Sequence, residues 1–143
     1  MSNPGSRVSA RSWIGVALGA GVAYVMIGRL FPAPAGEHLQ AWRFAAWGVS
    51  GIVYASHIAW EHLHLRSPVR RMAAHVALGV AIGGFGLALI GMINARSSPA
   101  GITSRWFLAL VLWPAFTAIP AFLGALVAGI ILGRLPKRAG AVP

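Results

Sequence analysis

His57, Glu61 and His64 lie four and three residues apart in a segment that is otherwise almost wholly apolar, WRFAAWGVSGIVYASHIAWEHLHL (residues 42–65). Helical spacing places all three on one stripe, with His62 alongside and His75 early in the next apolar run. Imidazoles and a carboxylate so placed can hold a divalent metal such as zinc, and Glu61-x-x-His64 has the spacing of carboxylate-bridged di-metal bundles. Those bundles need more carboxylates than this chain carries. It has no Asp, and its other Glu, Glu37, belongs at the opposite end of the helix. A b-type haem held between His57 and His75 is a second possibility, with Gly79 and Gly83 leaving room for the macrocycle.

The third chemistry is proton traffic. Arg43, Trp47, Ser50, Tyr54, His57, Glu61 and His64 recur at four-three intervals, while Ala45, Gly48, Ile52, Ala55, Ala59 and Leu63 occupy the opposite face. Ser50, Tyr54, His57 and Glu61 then form a graded polar series from mid-membrane to one surface. Ionisable groups inside a bilayer are costly, so they mark ion routes or buried pairs. The plainer alternatives are an interfacial cluster, since Glu61, His62 and His64 share one turn near a helix end, and a hydrogen-bonded network that fixes helix register. All of these readings require the stripe to face protein or trapped solvent and not acyl chains.

Four apolar runs must position these groups, at 13–31, 41–63, 72–93 and 106–132, with polar tails at 1–11 and 134–143. A rise of 1.5 Å per residue lets each run cross the ~30 Å hydrocarbon core. Pro32, Ala33 and Pro34 stop the first run, and the basic RSPVRR turn (residues 66–71) separates the second from the third. Pro114 and Pro120 predict a bend or tilt in the long fourth run. The first run also has the outline of a secretory signal peptide. Its length, and Arg29 before the supposed cleavage site, favour an uncleaved span.

The expected fold is therefore an all-α integral membrane protein, an antiparallel bundle of four transmembrane helices forming one domain across 1–143. Glycines four apart (Gly15/Gly19, Gly79/Gly83, Gly129/Gly133) predict close helix packing, and the shortness of the bundle predicts a homo-oligomer or a larger membrane complex. Trp13, Trp42, Trp60 and Trp106 fall near the span ends, where indoles prefer the headgroup level; Trp47 and Trp113 lie deeper.

Composition agrees with this class. Of 143 residues, 57% are hydrophobic and 10% charged, far below the roughly one quarter charged in soluble domains. The net charge of +10 comes from Lys and Arg at the ends of apolar runs, which predicts contact with anionic headgroups and no nucleic acid. Arg7, Arg11, Arg66, Arg70, Arg71, Arg134, Lys137 and Arg138 collect on one side, against Arg29, Arg43, Arg96 and Arg105 on the other. That asymmetry places both termini in the cytoplasm, in a bacterial plasma (inner) membrane. The lack of Cys excludes disulfides and thiolate metal sites, and no Ser sits in a nucleophile-elbow pattern. The leading expectation is a non-enzymatic channel- or transporter-like bundle, or an accessory subunit, with its polar stripe on the second helix. The alternative is a metal- or haem-binding redox subunit using His57, Glu61, His64 and His75.

Overall fold

The computed structural model describes residues 4–31, 38–99 and 101–134, with side chains described from residue 12 onward. Among them are four α-helices, a π-helical turn and no strands: α1 (Pro4–Leu30), α2 (Leu39–Trp60), the π turn (Glu61–Leu65), α3 (Val69–Ala95) and α4 (Ser104–Arg134). Helix α1 reaches back into the segment expected to be a tail. Helix α4 continues through both Pro114 and Pro120.

Contacts between helix ends fix the directions. Trp13 in the first half of α1 and Glu61 at the end of α2 both meet His75 in the second turn of α3. Gly129, late in α4, packs on Val69 and Met72, while Gly91, late in α3, packs on Trp106 near the start of α4. Successive helices therefore run in opposite directions. Helix α3 is the centre, packed most extensively on α4 and next on α1; α2 lies mainly against α1.

Glycine explains why α3 takes the central place. A methyl at Gly83 would lie 2.6 Å from Tyr24 Cβ, one at Gly86 2.5 Å from Val25 Cγ2, and one at Gly84 2.7 Å from Thr117 Oγ1. Such close approach supplies the dispersion contact that hydrophobic burial cannot supply in lipid. The expected glycine pairs are only half used. Gly79, Gly83 and Gly129 are packed, whereas Gly15, Gly19 and Gly133 have open space beside them. On α1 the packed glycines are Gly21 and Gly28, against Ile82 and Leu87.

Three helical segments, Ser12–Leu30, Val69–Ala95 and Ser104–Arg134, are long and apolar enough to cross a membrane. The outward surface carries large apolar side chains such as Val22, Phe44, Ile52, Phe107, Val111 and Phe116, as an integral membrane protein requires. Helix α2 has the length but not the hydropathy, because Arg43, Ser50, Tyr54, Ser56 and His57 dilute it. A membrane crossing by α2 is thus not carried by length and composition. The described basic residues Arg66, Arg70, Arg71 and Arg134 share the end holding Glu61, while Arg29, Arg43, Arg96 and Arg105 share the other. The side chains of Arg7 and Arg11, and all of Glu37, Lys137 and Arg138, lie outside the described residues.

The packing carries a stability prediction. Gly83→Ala is expected to destabilise the protein by about 1–3 kcal/mol through overpacking against Tyr24. Gly15→Ala, with no atom within 4 Å of the new methyl, should stay within about 0.5 kcal/mol of the parent. Denaturant unfolding in micelles, followed by circular dichroism, measures both.

Candidate functional site

The site lies where the third turn of α1 meets the end of α2 and the start of α3. Glu61 opens the π turn that closes α2. A π turn widens the helix by one residue and is frequent at functional positions. The chain then leaves through Arg66 in the left-handed conformation (φ 45°, ψ 36°) and through Pro68, which precedes α3. The reversal sets the last turn of α2 against the first turns of α3.

Glu61 is completely buried, and its Oε1 shares a hydrogen bond with His75 Nδ1 at 2.9 Å. The other carboxylate oxygen has no protein partner. Trp13 covers the face of His75, with the rings stacked 4.1 Å apart at an interplanar angle of 4°. That stack orients the imidazole and shields the Glu61–His75 bond on the α1 side. One turn before Glu61, His57 is 3% exposed, and neither ring nitrogen has a partner. Its ring fills the notch left by Gly79: a Cβ there would lie 3.2 Å from His57 Cε1 and equally close to the Ala17 carbonyl. Beneath the cluster, Ile58, Met72, Ala73, Val76 and Ala125 form the buried apolar core.

The rest of the stripe divides. Tyr54 faces inward and donates its hydroxyl to the Ala121 carbonyl of α4 at 2.5 Å. A side chain at position 124 would meet that hydroxyl at 2.9 Å, so glycine there admits the bond. Ser50 is half-buried and lines a cleft of about 200 Å³ with Tyr24, Trp47, Trp113 and Thr117. The Tyr24 hydroxyl is buried without a partner. Thr117 is bonded to carbonyls of its own helix, Trp113 and Pro114, each at 3.0 Å. At the stripe's ends, Arg43, Trp47 and His64 are exposed, whereas Ala45, Gly48, Ile52, Ala55, Ala59 and Leu63 are exposed along the whole opposite face. The inward-facing part is therefore Ser50, Tyr54, His57 and Glu61.

The structure brings His57, Glu61 and His75 together and leaves His64 out. His64 stacks on Trp60 (3.9 Å, 14°), and His62 lines a polar pocket at the turn with Arg66 and Ser67. Among the described residues, no three His, Asp or Glu side chains converge as metal ligands would. The space expected for a haem at Gly79 and Gly83 is taken by the His57 ring and by Tyr24. Sequence reasoning missed two contributors. Tyr24 is the one hydroxyl-bearing aromatic of the first apolar run, and that singularity was its signal. Trp13 reads as an interfacial anchor in sequence, and nothing short of the fold shows that it caps His75.

His75→Ala would leave both oxygens of a buried carboxyl unpartnered, at an expected cost of about 3 kcal/mol in unfolding free energy. In a Glu61→Ala background the same change should cost less than about 1 kcal/mol. A double-mutant cycle in detergent measures the coupling. Compared with known protein families, curated proteins and solved structures, the chain matches none.

Proposed function

We propose that this protein is a small channel- or transporter-like membrane bundle, non-enzymatic, in which Glu61 takes up and releases protons at the inner end of a polar route. The observation that carries the reading is Glu61 itself: fully buried, bonded to one imidazole, with its second oxygen and both nitrogens of nearby His57 left open. A group that serves only to fix helix register would have its hydrogen bonds closed within the protein. Open buried valences suit a site that exchanges a proton or water. Ser50 and Tyr24 at the outer cleft, then Tyr54, then His57 and Glu61, supply polar groups at successive depths.

In this reading α2 crosses the membrane as a fourth span, because its costly groups turn towards α1, α3 and α4. Both termini are cytoplasmic, with Arg66, Arg70, Arg71 and Arg134, joined by Lys137 and Arg138, against anionic headgroups of a bacterial inner membrane. A homo-oligomer is part of the same proposal.

Reconstituted in liposomes under a potassium diffusion potential, the parent should acidify or alkalise the lumen, as read by an entrapped pH dye. Glu61→Gln should reduce that flux at least about tenfold, since an amide does not exchange the proton. Equal flux in parent and Glu61→Gln would sink the reading. The lack of native Cys makes topology directly testable. Cysteines at His38 and Ser98 should react with an impermeant maleimide in intact cells, and one at Ser67 only after permeabilisation; labelling of the His38 and Ser67 positions from one side would remove the α2 span.

A further inference from the structure

We propose that His75 is the port through which buried Glu61 exchanges its proton with the membrane surface, and that Trp13 is the positioning residue that keeps this port aimed; the assignment rests on the reading of Glu61 as a proton-exchanging group. Glu61 is 0% exposed, so surface water does not meet its carboxyl, whereas the His75 side chain bonded to it is 12% exposed. His57, the other imidazole close by, is 3% exposed and makes no hydrogen bond. Among the described residues, His75 alone both hydrogen-bonds the carboxyl and reaches the outside.

Neighbours fix the depth of the ring. Trp13 is the second residue of the apolar segment Ser12–Leu30, the level at which indoles meet headgroups and water. Its ring lies 4.1 Å from that of His75 and within 4° of parallel, so the imidazole sits at the same level. Arg71, four residues earlier on the same face of α3, is exposed and extends the polar path towards the helix end. An imidazole carries two nitrogens, and Nδ1 is committed to Glu61 Oε1 at 2.9 Å. Nε2 is then the nitrogen that meets surface water. One pass moves one proton. A hydronium ion gives its proton to Nε2, and the Nδ1 proton crosses the existing hydrogen bond to the carboxylate. The products are water, a neutral imidazole protonated at Nε2 and a carboxylic acid. When Glu61 next parts from Nδ1, water exchanges the ring proton and restores the first tautomer. Turning the ring out of plane would break the stack, so Trp13 holds Nδ1 on the carboxyl.

Asparagine separates the relay from the structural bond. In His75→Asn the amide nitrogen takes about the place of Nδ1 and still donates to Glu61, but no second nitrogen remains to collect a proton. The full chain in liposomes, under a potassium diffusion potential, provides the test. His75→Asn should fold like the parent by circular dichroism and lose at least about tenfold in proton flux. Free imidazole, which fits the space vacated beside Trp13, should restore that flux. It should restore none in His75→Asn/Glu61→Gln, the control for imidazole carrying protons through the lipid itself. With His75 in place, Trp13→Ala should lower flux at least about threefold, and Trp13→Phe, which keeps an aromatic face on the imidazole, should recover most of it. Parent flux in His75→Asn while Glu61→Gln is inactive would overturn the port and leave the proton reading standing. Parent flux in both variants, or none in the parent, would overturn both. A folded His75→Asn protein that imidazole does not revive would reduce His75 to a structural partner, and undiminished flux in Trp13→Ala would remove the positioning role.

Discussion

A carboxyl group buried among apolar helices dictates much of this architecture. In hydrocarbon no water completes an unfinished hydrogen bond, and an isolated ionised carboxylate costs many kcal/mol. Glu61 therefore has to be met by a protein group, and His75 meets it at 2.9 Å. That bond requires the end of α2 and the start of α3 to lie side by side, which the π turn, the left-handed Arg66 and Pro68 accomplish within a few residues. It also requires a cover over His75, which Trp13 provides from α1. Three elements are tied together at one end by a single polar contact and its shield.

Packing elsewhere follows a different physics. Lipid tails are as apolar as leucine, so α1, α3 and α4 associate by bringing backbones close at Gly21, Gly28, Gly83, Gly84, Gly86 and Gly129. The result is an apolar, glycine-lined assembly centred on α3. Helix α2 is built on the opposite plan. Its Gly48 and Gly51 face open space, and it meets the others through side-chain groups, with Tyr54 on the Ala121 carbonyl, His57 in the Gly79 notch and Glu61 on His75. Few apolar contacts and a few polar ones make α2 the least firmly packed helix, and local opening in proteins begins at such elements.

The same division accounts for the chemistry. Polar atoms without partners concentrate along the side where α2 meets the other helices: the Tyr24 hydroxyl, both His57 nitrogens and one Glu61 oxygen. A helix held by polar contacts can expose or satisfy those atoms with small shifts, whereas close-packed glycine faces resist displacement.

The sequence by itself determined the medium and the class of structure. A chain with 57% hydrophobic residues, no Asp and basic residues confined to the ends of apolar runs folds as helices, since only helices satisfy their backbone without help from outside. It also determined the inward stripe, because Ser50, Tyr54, His57 and Glu61 share a helical face by geometry alone. Which imidazole joins Glu61 was a tertiary decision. His64 is nearer in sequence, yet the π turn rotates it away onto Trp60 while the chain reversal delivers His75. Likewise, glycine spacing marks surfaces that can pack but not the partner each will meet, so Gly15 and Gly19 stay open while Gly21 and Gly28 close on α3. Periodicity fixes what one helix presents; what stands opposite depends on how loops and helix lengths bring separate faces together.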